Sequence, residues 1–339
     1  MDAAIMTPQD IQPPQAVAEA PVVSAANGLI EVRLTNIQFG ARDTNLYEFR
    51  PLTNAPLPAA SAGAHIDVHL PNGIVRQYSL VNASTDARSY VIGVKRDAQS
   101  RGGSRFLHEQ LRVGTTLSIS PPRNNFPLVE TADHTVLIAG GIGITPIWCM
   151  WQRLRALGRS VDFIYACRSR ADAVFLDELA AHPDVTLSFD DENNGSFLDL
   201  AGLIGRAPRN AHLFCCGPLP MLKAFEAATQ GWPADQVHVE YFTPQAEAAA
   251  GGGYVVELAR SGKEVVVEPG QTLLAAVLAA GVDAPYSCEE GVCGACMTKV
   301  LSGTPDHRDT VLTPSEREAN KTIMICCSGS KSDRLVLDL

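Results

Sequence analysis

The stretch that decides the fold is SCEEGVCGAC, residues 287–296, which carries the three cysteines Cys288, Cys293 and Cys296. A fourth cysteine, Cys326, follows after a gap of 29 residues, so the spacing reads C-x4-C-x2-C-x29-C. This is the ligand spacing of a plant-type [2Fe–2S] cluster, in which a tight loop supplies three thiolates and a distant strand supplies the fourth. The pattern therefore predicts a bound cluster that carries one electron at a time.

Other uses of these cysteines fit less well. A zinc ribbon shows two short C-x2-C knuckles, and this chain has one. A disulfide framework is typical of short secreted chains, whereas this chain has 339 residues and no secretory signal is recognised in it. Gly291 and Gly294 also favour iron–sulfur, because glycine lets a loop wrap closely and present backbone N–H groups to the sulfides. The adjacent Cys327 leaves the fourth ligand open: neighbours on a strand face opposite sides, and Cys326 gives the usual gap.

The composition limits the range of functions. A chain of 339 residues predicts two or three domains. Its net charge of −10 argues against nucleic acid as a partner and suits a basic protein partner. Nine cysteines without a secretory signal indicate a reducing compartment. The most apolar stretch, 136–150, is too short and too interrupted by glycine and proline to span a bilayer, so we expect a cytoplasmic protein without membrane contact.

The pattern of strands and helices changes twice along the chain. Short alternating strands with Asn-Gly and glycine-rich turns indicate an antiparallel barrel, and later five apolar strands alternate with helices, which indicates a doubly wound parallel sheet. The last segment predicts a hairpin around Ser261-Gly262 and then a helix over TLLAAVLAAG. We predict a flexible N-terminal tail, the barrel, the parallel-sheet domain, a linker of small residues and the cysteine-bearing domain, at residues 1–27, 28–130, 131–243, 244–253 and 254–339.

Two motifs in the predicted barrel suit a flavin. In Arg76-Gln77-Tyr78-Ser79 the arginine can pair with a phosphate, the tyrosine can lie against a flat ring and the serine can hydrogen-bond a ring nitrogen. Arg101-Gly102-Gly103-Ser104 opens a helix, where bare N–H groups attract an anion. The second motif could also be a plain helix N-terminus capped by Ser104. Together the two motifs predict one phosphate and one flat ring system, as in flavin mononucleotide (FMN).

The predicted parallel sheet carries a nucleotide motif. AGGIGITP, residues 139–146, follows its first strand and resembles the dinucleotide fingerprint, with Pro146 in place of the third glycine. Proline suits the first turn of a helix, so the strand–turn–helix geometry is kept. Cys216-Gly217 ends the fourth strand at the ligand-binding edge, although such a cysteine can also be a small core residue. Phe242, after the fifth strand, could cover a flavin or cap the core.

With these motifs the chain resembles the phthalate dioxygenase reductase family, within the ferredoxin–NADP reductase superfamily, over roughly residues 29–339. The resemblance implies a flavin-binding antiparallel β-barrel, a doubly wound nucleotide-binding sheet and a C-terminal plant-type ferredoxin (β-grasp) domain. It also implies an NADH-dependent iron–sulfur flavoprotein oxidoreductase with FMN and a [2Fe–2S] cluster. The preference for NADH rests on the family, since Arg168 and Arg170 after the second strand could instead hold a 2′-phosphate.

The motifs and the resemblance together assign roles to individual residues. Cofactor binding is assigned to Arg76, Gln77, Tyr78, Ser79, Gly93, Val94, Lys95, Gly102, Gly103, Ser104, Gly140, Gly141, Gly143, Thr145, Pro146, Cys216, Gly217 and Phe242. Roles in hydride transfer are assigned to Ser79, Thr145, Cys216 and Phe242. Cluster ligation is assigned to Cys288, Cys293, Cys296 and Cys326.

The resemblance implies a reductase component of a multicomponent oxygenase or demethylase of aromatic degradation. Such a monomeric reductase would pass single electrons from NADH, through FMN and the cluster, to a terminal oxygenase of the Rieske non-haem iron type. A stand-alone flavin reductase or oxidase, with the ferredoxin domain used for docking, stays open as an alternative. A redox sensor is disfavoured because it needs no reductant supply of its own.

Overall fold

Three main sheets follow one another along the chain in the computed structural model, which describes residues 28–82 and 88–339. The predicted flexible tail, residues 1–27, lies outside the described residues. The predicted fold class is confirmed, with an antiparallel barrel first, a parallel sheet second and a ferredoxin domain last. The predicted domain limits stay predictions. Within residues 28–82 and 88–339, no helix is both long and apolar enough to cross a membrane.

The first sheet has six strands that pair only in antiparallel fashion, in the order β4-β3-β6-β1-β2-β5. Its elements are β1 Ile30–Ala41, β2 Thr44–Pro51, β3 His65–His69, β4 Val75–Ser79, β5 Tyr90–Lys95, α1 Gly103–Glu109 and β6 Thr116–Ile119. A bridge between Leu80 and Ile92 brings the two edge strands together and curls the sheet into a barrel. Alternate residues of β1 face inward, as the period of two requires, and bury Ile30, Val32 and Leu34.

The second sheet has five parallel strands in the order β11-β10-β7-β8-β9. Its elements are β7 His134–Gly140, α2 Ile144–Ala156, β8 Ser160–Cys167, α3 Leu176–Ala180, β9 Val185–Phe189, α4 Leu200–Arg206, β10 His212–Cys216, α5 Leu219–Ala228 and β11 Val237–Glu240. The strand order reverses between β7 and β10, and open α/β sheets bind ligands at the carboxyl ends of strands at such a point. The two glycine-bearing loops that follow β7 and β10 therefore meet at one cleft.

The third sheet is mixed, in the order β13-β12-β18-β14-β16, with β12 and β18 parallel. Its domain consists of β12 Tyr254–Leu258, β13 Lys263–Val267, α6 Leu273–Ala279, β14 Met297–Ser302, β15 Pro305–Asp306, α7 Pro314–Ala319, β16 Thr322–Met324, β17 Gly329–Ser330 and β18 Arg334–Leu337. The expected hairpin is present, with Gly262 at φ +66 in its turn. Thr272 caps the expected helix by accepting a hydrogen bond from Ala275 N, a contribution of about 1 kcal/mol.

The segment predicted as a linker, 244–253, lies along the third domain. The backbone N–H of Ala249 donates to Cys327 O at 2.7 Å, and the carbonyl of Ala250 accepts from Gly270 N at 2.7 Å. A Cβ on Gly252 would lie 2.3 Å from Glu268 C, so the chain passes too close to its neighbour for any side chain there. These contacts attach the segment to the third domain, next to Cys326 and Cys327, which follow β16.

Candidate functional site

A cavity of about 350 Å³ lies where the three domains meet. The barrel contributes Arg76, Gln77, Tyr78, Ser79, Gly93, Lys95, Asp97, Ser100, Arg101 and Ser104. The parallel-sheet domain contributes Ile142, Thr145, Tyr241, Phe242 and Thr243, and the cysteine loop contributes Cys288, Glu290 and Val292. Its volume lies within the range of small-molecule sites, and polar groups converge on it from every wall.

The barrel wall of the cavity is formed by β4 and by the turn before α1. A Cβ on Gly103 would lie 2.6 Å from Arg76 Cγ, so glycine there lets the arginine cross the start of the helix. Gly102 has φ +100, a conformation that favours glycine. Neither glycine lines the cavity itself; they shape the turn behind it. Ser104 does line it, and it is not the helix cap, because the cap position is Gly102 and Ser104 lies inside α1, where its hydroxyl donates to Ser100 Oγ at 3.0 Å.

The predicted residues of β5 divide between the cavity and the barrel core. Gly93 and Lys95 line the cavity. Val94, which we assigned to cofactor binding, packs in the barrel core instead, since successive strand residues face opposite sides. A Cβ on Gly93 would lie 2.7 Å from Thr145 Cγ2, so this glycine allows β5 to contact the first turn of α2. The barrel and the parallel-sheet domain thus meet at the cavity.

The glycine turn after β7 has the expected strand–turn–helix geometry. Gly141 has φ +53, α2 begins at Ile144, and Pro146 lies in its first turn. A Cβ on Gly143 would lie 2.2 Å from Cys216 O, so glycine is needed where this turn approaches the loop after β10. The other predicted nucleotide-site residues do not line the cavity; they lie at the ends of β7 and β10, in the loops that follow these strands or in the first turn of α2, namely Gly140, Gly141, Gly143, Pro146, Cys216 and Gly217.

A carboxylate that the sequence did not single out lies between two of the predicted hydride-transfer residues. Glu240 hydrogen-bonds Ser79, and its Oε2 lies 4.0 Å from the buried Cys216 Sγ. Burial raises the pKa of Glu240 to about 8, and the hydrogen bond with Ser79 opposes this rise. Glu240 ends β11, directly opposite Cys216 in the strand register; its place at the carboxyl end of a predicted parallel strand was the sequence signal that could have identified it as a site residue. Phe242, two residues on, lines the cavity and is partly exposed.

The four predicted ligand thiols contact one another in the order Cys293, Cys288, Cys326 and Cys296. Hydrogen bonds from neighbouring thiols lower the pKa of Cys288, and the backbone N–H of Glu290, 3.3 Å from its sulfur, adds to this effect. Four cysteine sulfurs that converge in this way match the all-cysteine ligand set of a plant-type [2Fe–2S] cluster. The donor set therefore fits an iron–sulfur cluster.

Within residues 28–82 and 88–339, no three His, Cys, Asp or Glu side chains are arranged around a single metal ion. In a [2Fe–2S] cluster four cysteines serve two irons, so each iron takes two thiolates.

Cys326 and Cys327 face different surroundings. The thiol of Cys326 contacts Cys288 and Cys296. The thiol of Cys327 lies where a Cβ on Gly291 would come within 2.4 Å of it, and its other neighbours are Met324 O, Ser328 Oγ and the Cys326 thiol, with no contact to Cys288 or Cys296 among its hydrogen bonds. Position 291, at φ +72, therefore requires glycine, because the Cys327 thiol packs behind the loop and leaves no room for a side chain.

The two arginines that could hold a 2′-phosphate follow β8. Arg170 makes a two-pronged ion pair with Glu192, at 2.6 Å from Nε to Oε1 and 3.1 Å from Nη2 to Oε2. Its guanidinium also lies over the Phe189 ring, 4.6 Å from the centroid. Arg168 is exposed. Of the two candidate arginines, Arg170 is therefore held by the Glu192 carboxylate and the Phe189 ring.

Comparisons with known proteins agree with this arrangement. The family model for the 2Fe-2S iron-sulfur cluster binding domain matches residues 256–330. Phenoxybenzoate dioxygenase subunit beta of Ectopseudomonas oleovorans is 52% identical over 91% of this chain and 97% of that protein. Vanillate O-demethylase oxidoreductase of Pseudomonas sp. (strain HR199 / DSM 7063) is 41% identical over 92% and 100%. The structure of phthalate dioxygenase reductase, described as modular for electron transfer from pyridine nucleotides to [2Fe-2S], matches with a TM-score of 0.70 and 36% identity, over 94% and 100%.

Proposed function

The chain belongs to the phthalate dioxygenase reductase family, and on that premise we propose that it carries electrons from NADH, through FMN and a [2Fe–2S] cluster, to an oxygenase. One observation supports this most directly: the cavity between the domains is lined both by the flavin motif and by Cys288 of the cluster loop. A flavin held there borders the nucleotide domain on one side and a cluster ligand on the other. FMN supplies the exchange between two-electron and one-electron transfer.

The cavity residues fit FMN by their chemistry. Arg76 and Arg101 place two guanidinium groups in the same wall as Ser104, a set that suits a phosphate. Gln77 Oε1 is buried and has no hydrogen-bond partner among the described residues, although buried polar atoms are nearly always paired. A ring N–H of a flavin would satisfy it. These residues would bind and orient the cofactor.

The cleft between β7 and β10 would hold the nicotinamide against this cavity. Thr145 lies in the cavity wall at the start of α2, and its hydroxyl donates to Ile142 O at 3.1 Å, which fixes its orientation. Cys216 and Ser79 approach from two other elements, with Glu240 between them. Phe242, which lines the cavity and is exposed, would cover the flavin and would shift when the nicotinamide binds, a gating step. The walls exclude water and hold the donor and acceptor in place.

NADH is the favoured nucleotide. The Glu192 carboxylate occupies the fork of Arg170 and would repel a 2′-phosphate at the same position. The pairing of Arg170 with Glu192 therefore supports NADH over NADPH.

We propose that the partner is an oxygenase component of the Rieske non-haem iron type, as the resemblance to the family implies. The net charge of −10 suits a basic docking face on that partner. A monomer and a cytoplasmic location complete the proposal; both rest on the family and on the sequence.

Replacing Cys293 with serine tests the route through the cluster. With NADH as donor, the variant should still reduce ferricyanide, which can take electrons from the flavin, but should lose most of its cytochrome c reduction. Unchanged cytochrome c reduction in the variant would instead favour a flavin reductase whose ferredoxin domain serves docking.

A further inference from the structure

The barrel holds the cluster loop through one side chain that no motif includes. Asn125 lies in the segment after β6, and its Nδ2 donates to the carbonyl oxygen of Cys293 at 2.8 Å. Cys293 is a predicted cluster ligand and is buried. The hydrogen bond therefore joins the flavin-binding domain directly to the backbone of a ligand residue.

The cluster loop is shaped to receive this contact. Gly294, the residue after Cys293, has φ +74, and a Cβ on it would lie 3.1 Å from Asn125 Nδ2. Contacts as short as this require the neighbour to shift, and a residue with a side chain is also strained at that φ. Glycine at 294 is thus explained by the approach of Asn125 as well as by the turn itself.

The position of Asn125 is fixed by the barrel rather than by the ferredoxin domain. Two backbone hydrogen bonds, His65 N to Arg123 O at 2.8 Å and Arg123 N to His65 O at 3.0 Å, attach its segment to β3. On the other side, the Phe126 ring is buried between the barrel and the parallel-sheet domain, and the backbone N–H of Phe126 donates to Asn124 Oδ1 at 2.9 Å. Because the backbone is held on both sides of Asn125, its side chain can place the cluster loop precisely relative to the flavin cavity.

We propose that Asn125 is a positioning residue that fixes the cluster loop against the flavin barrel and thereby sets the rate at which the cluster is reduced. The inference rests on the proposed function. In the step concerned, NADH is the reductant, and one electron leaves the reduced FMN and enters the oxidised cluster; Asn125 itself gains and loses nothing. Because electron transfer slows steeply with distance, a loop that moves away from the barrel lowers the rate without affecting hydride transfer.

The test compares Asn125→Ala and the isosteric Asn125→Asp with wild type in the full-length holoprotein. Asn82→Ala is the control, because its side chain donates to Ser89 O at 2.9 Å and accepts from Val91 N at 2.7 Å inside the same barrel, so it removes amide hydrogen bonds away from the cluster loop. Iron content is measured first. Anaerobic stopped-flow mixing with NADH then follows flavin bleaching and cluster reduction separately, and hydrogen–deuterium exchange reports on residues 288–296.

Both Asn125 variants should slow cluster reduction by about three- to tenfold, the factor that corresponds to the net free energy of one ordinary hydrogen bond. The rate of flavin bleaching should stay unchanged. Exchange in residues 288–296 should increase, and the Asn82 variant should behave as wild type. Wild-type cluster reduction and exchange in both Asn125 variants, or an equal slowing in Asn82→Ala, would overturn the proposal. If NADH never reduces the wild-type cluster, the proposed function fails instead, while the exchange data still report whether Asn125 holds the loop.

Discussion

The guanidinium of Arg101 lies 2.6 Å from the carboxylate of Glu290 and so links the turn before α1 to the cluster loop. Both side chains also line the flavin cavity. Arg101 is 59% exposed and Glu290 24%, which makes this an ion pair at a domain surface rather than a buried one. A phosphate in the cavity would share Arg101 with Glu290, so the same cation faces the flavin site and the cluster loop.

Replacing Glu290 with glutamine should change the free energy of unfolding by less than about 1 kcal/mol, because exposed ion pairs contribute little to stability. The salt dependence of cluster reduction should change more. In wild type, added salt screens the pair and should slow cluster reduction; the variant should lose this dependence. Stopped-flow measurements at low and high ionic strength check this. Glu289→Gln, at the exposed neighbouring residue, serves as control, and a salt response retained by the Glu290 variant would contradict the interpretation.

The cysteine contacts predict opposite results for two adjacent serine substitutions. Cys326→Ser should lose the visible absorbance and iron of the cluster, because this thiol contacts Cys288 and Cys296. Cys327→Ser should retain both, since the thiol of Cys327 packs behind Gly291. Iron analysis and absorbance spectra of the purified variants decide between them. A cluster that survives in Cys326→Ser and not in Cys327→Ser would reverse the assignment of the fourth ligand.

Glu192→Ala should raise kcat/KM for NADPH by about tenfold, because the freed Arg170 can form charge-assisted hydrogen bonds to a 2′-phosphate. The value for NADH should change little. The double variant with Arg170→Ala should lose the gain, which separates the effect of the freed arginine from that of the removed charge. Steady-state kinetics with both nucleotides measure it, and an unchanged preference in Glu192→Ala would show that Arg170 does not face the 2′ position.

Glu240→Gln should stabilise the protein in a pH-dependent way. The folded pKa of about 8 lies above the ordinary value of 4.5, so the folded state keeps a proton that the unfolded chain releases. Wild type should therefore lose stability as the pH rises from about 4.5 to 8, while the variant should not. At pH 8 the difference in the free energy of unfolding should reach about 1–3 kcal/mol, less than the full pKa shift would give, because Glu240 as a whole residue is only half-buried.

Urea unfolding at several pH values, followed by tryptophan fluorescence, tests this, since Trp148, Trp151 and Trp232 all lie in the parallel-sheet domain. A difference between variant and wild type that stays constant from pH 5 to 8 would contradict the raised pKa.

Local patterns were enough to predict most of the architecture. The cysteine spacing, the alternating strands and the strand–turn–helix at Gly141 each depend on residues close together in sequence, and the predicted fold class is confirmed. The Val94 side chain packs in the barrel core because strand residues alternate between two faces, which transferring the motif as a block of three did not take into account. Its neighbours Gly93 and Lys95 line the cavity as assigned.

Contacts between domains could not be predicted in the same way. Asn125 and Cys293 are separated by 168 residues, and neither a period nor a motif joins them. Glu240 likewise lies two residues before the assigned Phe242, but its place in the site depends on a hydrogen bond with Ser79, which belongs to another domain. The pairing of Arg170 with Glu192 links the ends of two strands and requires their order in the sheet. Long-range packing, rather than local propensity, determines these parts of the site.

The central claim is that one chain takes hydride from NADH and delivers single electrons through its own cluster. An anaerobic NADH titration of the holoprotein, followed by visible absorbance and electron paramagnetic resonance, tests it most directly. Two electrons for the flavin and one for the cluster predict complete reduction at about 1.5 equivalents of NADH, with a reduced-cluster resonance. A flavin that bleaches fully at about one equivalent, with a cluster that stays oxidised as more NADH is added, would contradict the account.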